Sequence, residues 1–444
     1  MGIDEKLRRL RKERDLRSRT RSSSVEGAWS RIDKHGELTV KQKLEKLISL
    51  TGQAKKPKSE RPAPFEPEPR EPLQVFENAY PTDAIYGKTR IADGLHIRGD
   101  VLTYLSRDEA FAGLDLSTAL FIDLETTGLA GGTGTVAFLV GMGYFREGKF
   151  HVTQFFLGDL GEEERMISDL ADFFREMDFQ SVVTYNGKAF DVPLLETRFI
   201  LHRQPYALSD LPHLDLLFAA RSLWKHKHDS CRLFHLAQQI VEAERSEDIP
   251  SAEIPYRYFD FLRGGGFSLI EPILYHNQED ILSLLGLTIA AAKLFAAGQP
   301  EEAEEIDAMD MIGVGKVFES VGSVERSVSL FERALKSGLP SELAVTVKSK
   351  LSYHYKSRND PERAEALWKE LADHGGKQLE ALRELAMFYE HKKKNYEDAK
   401  RAAEEGLALA SVVSDRLRRD FEHRVERLND KIRRHAAPDF TSRR

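Results

Sequence analysis

The stretch STALFIDLETTGL, residues 117–129, decides the fold. An apolar run from Ala119 to Ile122 leads into Asp123-Leu124-Glu125 and then a Thr-Thr-Gly turn. Such a short apolar run bounded by turn residues predicts a buried β-strand. Side chains alternate along a strand, so Asp123 and Glu125 share a face. Two neighbouring carboxylates repel, and taking them out of water raises their pKa values. A divalent cation resolves that conflict, and hard oxygen ligands favour Mg2+ or Mn2+. A bare Asp-X-Glu is common by chance. The apolar run before it and the turn after it single this one out.

Working outward, TVAFLVGMGYF (135–145) and FHVTQFFLG (150–158) predict two strands joined by a hairpin turn at Arg146 to Lys149. EEERMISDLADFFREM (162–177) has helical spacing, SVVTYN (181–186) reads as a buried strand, KAFDVPLLETRFIL (188–201) as a helix and HLDLL (213–217) as a further strand. Helices follow to about 297. The order β-β-β-α-β-α-β-α predicts a mixed sheet flanked by helices.

Two more elements carry chemistry. In VVTYNGKAFDVPLLETRF (182–199), Asp191 falls at a helix start after the Asn186-Gly187 turn, whose backbone N–H groups are expected to be exposed. A helix-start acid also suits the macrodipole, a purely structural role contributing about 0.3–1 kcal/mol. In LYHNQEDILSLLGL (274–287), His276 and Asp280 stand four apart and so share a helical face. A histidine beside metal-binding acids can deprotonate an attacking water. Asp215 and Glu196 read as structural acids.

These three elements, in this order, resemble the exonuclease motifs of the DEDD superfamily of 3′–5′ exonucleases, within the ribonuclease H-like fold. YNGKAFDVPLL (185–195) resembles the second motif of B-family DNA polymerase proofreading domains. From about 119 to 286 the chain looks like the YprB-type ribonuclease H-like family, through FIDLETTGLAGGTGTVAFLVGMGYF (121–145), the second motif, and FDFLRGGGFSLIEPILYHNQEDILSL (259–284). Members often carry tetratricopeptide-like repeats beyond the domain. The resemblance implies a two-metal-ion phosphodiester hydrolase with Asp123, Glu125, Asp191 and Asp280 as metal ligands. DEDD enzymes divide by a His five residues before the last Asp or a Tyr four before it. Here Tyr275 stands five before and His276 four before. His276, in the tyrosine's register, is the first choice for activating water, and Tyr275 the second.

Charge is uneven along the 444 residues. Residues 1–70 hold 19 Lys/Arg against 11 Asp/Glu, 71–300 hold 19 against 33, and 301–444 hold 27 against 28. The middle segment is strongly acidic, whereas a nucleic-acid enzyme usually shows a basic footprint. Two candidates for that footprint are WKHKHDSCR (224–232), with Lys225, Lys227 and Arg232, and the N-terminal arm, with Arg8, Arg9, Arg11 and Lys12. Thr126, Asn186, Lys188 and Tyr275 are further expected contacts to DNA or RNA. AGGTGT (130–135) lacks the Gly-Lys-Ser/Thr ending of a P-loop and reads as a tight connection.

From 322 onward a weak repeat emerges: GSVERSVSLFERAL (322–335), NDPERAEALWKEL (359–371) and KNYEDAKRAAEEGL (394–407). Aligning Ser327, Ala364 and Ala399 gives steps near the ~34-residue tetratricopeptide period of paired helices. The expected organisation is a basic helical arm and Pro-rich linker (1–72), a ribonuclease H-like α/β domain (73–298), an all-α tetratricopeptide-like array (299–435) that offers a surface to a protein partner, and a disordered tail (436–444). No apolar run reaches the ~18–20 residues of a membrane span, and the N-terminus has no apolar signal core. The single Cys231 excludes an internal disulfide and suits a reducing cytoplasm. The leading expectation is a 3′–5′ exonuclease. An endonuclease on the same site, and a non-catalytic nucleic-acid-binding scaffold with a protein-binding repeat array, are the alternatives.

Overall fold

In a computed structural model of the chain, the described residues are 71–128, 134–245, 248–297, 306–373, 377–413 and 415–436. The N-terminal arm, most of the linker, Ala130 to Thr133 of the glycine-rich stretch, the expected boundary at 298/299 and residues 437–444 lie outside them.

Six strands form one sheet: β1 (Leu73–Pro81), β2 (Ala119–Thr126), β3 (Ala137–Arg146), β4 (Lys149–Leu157), β5 (Ser181–Thr184) and β6 (His213–Asp215). Their spatial order is β1-β4-β3-β2-β5-β6. The strands from β1 to β2 pair antiparallel, and β2-β5 and β5-β6 pair parallel. The sheet is therefore mixed, as its alternation with helices predicts. The β3-β4 hairpin turns at Glu147 and Gly148, both at positive φ (50° and 72°), the backbone twist that suits a two-residue hairpin loop.

Strand β2 lies inside the sheet and separates two cores. Leu120, Ile122 and Leu124 face one core with α2 (Glu163–Met177) and α5 (Ile254–Leu262). Phe121 faces the other with α6 (Glu271–Ala297). Fully burying an aliphatic or phenyl side chain stabilises by about 1.5–3 kcal/mol, which pins the register of β2. Asp123 and Glu125 continue the Phe121 face past the apolar core. Further helices of this half include α1 (Gly99–Ser106), α3 (Asp191–Leu201) and α4 (Leu216–Trp224).

Two expectations shift. Strand β1 was not read from sequence: its alternation leaves Val75 half-exposed on an edge, a weak apolar signal. The strand expected over 213–217 stops at Asp215, because the Asp215 carboxylate accepts from the Leu217 N–H at 3.1 Å and starts α4.

Among the described residues seven α-helices follow: α7 (Ala308–Ser320), α8 (Val324–Lys336), α9 (Ser341–Ser357), α10 (Pro361–Asp373), α11 (Gln378–Phe388), α12 (Tyr396–Val413) and α13 (Asp415–Ala436). The three repeat segments fall on α8, α10 and α12, where Ser327, Ala364 and Ala399 are buried. Small side chains there let neighbouring helices approach. The array is not an independent body. One core runs from Ile91 through α6 into α7 and on to Leu428. Gly313 of α7 lies so close to the α4 backbone that a Cβ would sit 2.4 Å from the Leu223 carbonyl oxygen.

Candidate active site

The three motifs converge on the β2 face. Asp191, at the first turn of α3, is close enough for its charge to act on both Asp123 and Glu125. From α6, His276 points its Nε2 into the acids, 3.7 Å from Glu125 Oε1 and 3.4 Å from Asp280 Oδ2. Asn277 donates from Nδ2 to Asp123 Oδ2 at 2.9 Å. All four expected carboxylates and His276 thus meet, although they come from residues 123 to 280.

Electrostatics shows what this gathering costs. Burial, then Asp280, Glu125 and Asp191, push Asp123 well above the usual carboxylate range. Burial pushes Glu125 up to about 8, with His276 opposing and Asp280 and Asp191 adding. Burial raises Asp191 to about 7 against hydrogen bonds from its own and the Leu124 backbone N–H. Carboxylates in this state lack enough positive charge around them.

Sequence reading missed two members of the site. Asp248 accepts from His276 Nδ1 at 2.6 Å. Burial lowers the His276 pKa, but the hydrogen bond to Asp248 and the charges of Asp280 and Glu125 outweigh it and raise the value. Arg245, fully buried, donates from Nη1 to Asp280 Oδ1 at 2.5 Å, and its Nη2 lies 2.7 Å from Asp248 Oδ2. Neither residue lies in a periodic segment, so no sequence signal pointed to them. Among the described residues, these five carboxylates, if all ionised, face the single permanent cation of Arg245, a balance of −4 with His276 neutral.

That donor set, all carboxylate oxygens with a neutral imidazole and a charge deficit, fits hard divalent cations. Among the described residues no three His, Cys, Asp or Glu side chains already stand in ligating geometry, so binding would require the acids to close in.

Several expected nucleic-acid contacts are engaged elsewhere. The Asn186 and Lys188 N–H groups donate to Asp215 Oδ1 and Oδ2 at 2.7 and 3.2 Å, and the Gly187 N–H to Thr184 Oγ1 at 3.2 Å. The turn expected to expose its backbone therefore spends it internally, and Asp215 is the structural acid that holds it. Asn186 sits at φ 69°, a left-handed value that asparagine tolerates. Lys227 Nζ pairs with Asp307 and Asp310 at 2.5 and 2.7 Å, so it ties the sheet domain to α7 instead of facing phosphate. Lys188, Lys225 and Arg232 are exposed, and Thr126 Oγ1 donates to the Gly128 carbonyl at 3.0 Å. Burial, Glu279 and Tyr275 push the Tyr80 hydroxyl up to about 12, so Tyr275 lies on the flank of α6 near β1. Cys231 is free. Among the described residues no helix is long and apolar enough to cross a membrane.

Residues 120–292 match the family model of the RNase H superfamily. That superfamily consists of nucleic-acid hydrolases that generally use divalent metal ions, and the domain implies a nucleic-acid substrate. The chain is 34% identical over 332 residues to the uncharacterized protein YprB of Bacillus subtilis (strain 168), covering 74% of this chain and 78% of that one. With its mixed sheet, three converging motifs and helical extension, the chain belongs to the YprB family of the RNase H superfamily.

Proposed function

We propose that this protein is a metal-dependent nuclease that hydrolyses phosphodiester bonds of DNA or RNA as a 3′–5′ exonuclease with two Mg2+ or Mn2+ ions. The observation that carries the reading is the convergence of Asp123, Glu125 and Asp191, whose carboxyl pKa values are raised, with Asp280 and His276. Those four acids would hold the cations. When bound, two such ions stabilise the attacking and leaving oxygens of an in-line displacement. Asp248 accepts from the His276 Nδ1–H, which fixes the tautomer and leaves Nε2 to take a proton. His276 Nε2 removes that proton from water as its oxygen bonds to phosphorus, the bond from phosphorus to the 3′ oxygen of the preceding nucleotide breaks, and the departing 3′ oxygen takes a proton from solvent. Asp248 then steadies the imidazolium. Tyr275, near Tyr80, is the weaker candidate for this step.

Digestion of 5′-labelled single strands of DNA and RNA by the full chain, with Mn2+, Mg2+ or EDTA, tests the reading. A metal-dependent ladder shortening from the 3′ end is expected. Cuts in a circular substrate would replace the exonuclease with an endonuclease. If wild type and the Asp123→Ala, Glu125→Ala double variant are equally inert on both polymers, the catalytic reading fails.

A further inference from the structure

The geometry points to Asn277 as the residue that positions Asp123, oriented by Gln154 and accommodated by Gly141. This rests on the nuclease reading above. Asn277 is fully buried on α6. Its Nδ2 donates to Asp123 Oδ2 at 2.9 Å and to the Asp123 carbonyl at 3.2 Å. A primary amide has two ends that could exchange, and here the neighbours decide which end faces the acid. The Leu274 carbonyl can only accept, so Gln154 must present Nε2 to it, at 2.8 Å. The same Nε2 donates to Asn277 at 2.8 Å, which requires the Asn277 oxygen on that side. Nδ2 is then left facing Asp123. The direction of donation is fixed from Leu274 through Gln154 and Asn277 to Asp123.

Gly141 completes the device. It pairs with Asp123 across β2 and β3, and a Cβ there would lie 2.0 Å from Asn277 Oδ1. Any side chain at 141 would displace the amide. Asn277 and Gln154 are too buried to meet substrate, so their effect on the site passes through Asp123. Holding Oδ2 by one donor leaves Oδ1 for a cation. Partners that orient a metal-binding side chain typically change metal affinity about 10–100-fold when lost.

The test uses the full-length protein at one pH. Mn2+ affinity is read from the electron paramagnetic resonance signal of the free ion, and stability from the urea midpoint in EDTA. Asn277→Ala is expected to weaken Mn2+ binding about 10–100-fold. Excess Mn2+ should recover its activity on a labelled oligonucleotide. Gln154→Met, which frees the Asn277 amide to turn over, is expected to weaken binding by a smaller factor. A merely structural role would shift the urea midpoint and leave Mn2+ affinity at the wild-type value, which overturns the inference. If Asn277→Ala does not fold, Gln154→Met decides by the same criterion. A wild type that binds Mn2+ and cleaves, with variants that bind it equally well, sinks this inference and leaves the nuclease reading standing. A wild type that neither binds Mn2+ nor cleaves sinks both.

Discussion

Two glutamates, Glu125 in the α/β half and Glu390 in the helical half, are shifted in opposite directions although burial pushes both upward. Burial pushes Glu125 up to about 8, because its neighbours include Asp280 and Asp191 and only His276 opposes them. Burial also acts on Glu390, yet hydrogen bonds from Arg427 and Lys431 hold it at about 2. Its oxygens lie 2.7 Å from Arg427, 2.8 Å from Lys431 and 3.2 Å from Arg424. Glu365, with Lys393 at 2.6 Å and Lys369 at 2.9 Å, is likewise held at about 2. Taking an acid out of water costs energy in both halves. The helical half offsets that cost with its own cations and gains rigidity. At Asp123, Glu125 and Asp191 the α/β half leaves the cost standing, which is useful only if something from outside supplies the charge.

The comparison breaks first at activity. Asp123→Ala with Glu125→Ala is expected to lower nuclease turnover roughly a thousandfold or more, since several kcal/mol of transition-state stabilisation are removed. Glu390→Gln should leave turnover near wild type. Stability should show the reverse order. Glu390→Gln strands Arg424, Arg427 and Lys431 around a neutral amide and is expected to cost about 3 kcal/mol in urea unfolding at pH 7. In EDTA at pH 8, Glu125→Gln is expected to stabilise by on the order of 1–3 kcal/mol, because it removes a charge that folding disfavours. A stabilisation by Glu390→Gln, or a clear loss in EDTA with Glu125→Gln, would remove the distinction between the two halves.

The pH dependence sharpens the same contrast. Glu125 and Asp191 have folded-state pKa values raised to about 8 and about 7. Their contribution is fully present below the ordinary carboxylate pKa and is lost as pH rises through 7 to 8. Glu365 and Glu390 are depressed to about 2, so theirs is present above the ordinary value and lost as pH falls toward 2. Melting temperature in EDTA should therefore peak near the ordinary carboxylate pKa, at about pH 4 to 4.5, and fall on both sides of it. Saturating Mn2+ should flatten the alkaline side alone. The smallest effect concerns Lys227, whose partly exposed pairs with Asp307 and Asp310 join the halves. Lys227→Ala is expected to cost about 1 kcal/mol in urea with oligonucleotide affinity unchanged. A loss of affinity instead would return Lys227 to the nucleic-acid surface.

The motifs were legible because each sits on an element announced by its own periodicity. Asp123 and Glu125 end an apolar strand, Asp191 opens a helix, and His276 and Asp280 share a helical face. Arg245 and Asp248 were not legible, since nothing in the residues around them marks a face. Asn277 stood inside a recognised motif and was passed over, because its partner Asp123 is 154 residues away. The residues around Asn186 predict a turn, but nothing near them shows that Asp215, 29 residues on, takes the Asn186 N–H.

Sequence alone determined the order of strands and helices from β2 to α6, the mixed character of the sheet and the elements that carry Asp123, Glu125, Asp191 and Asp280. These follow from local alternation of apolar and polar residues, which a chain carries whatever its neighbours are. Tertiary structure alone decided which charges at that site are compensated. Arg245 meets Asp280, His276 meets Asp248, Asn277 meets Asp123 and Lys227 turns to Asp307, each across 28 to 154 residues. Such pairings depend on which faces the packed cores bring together, and no periodicity along the chain encodes that.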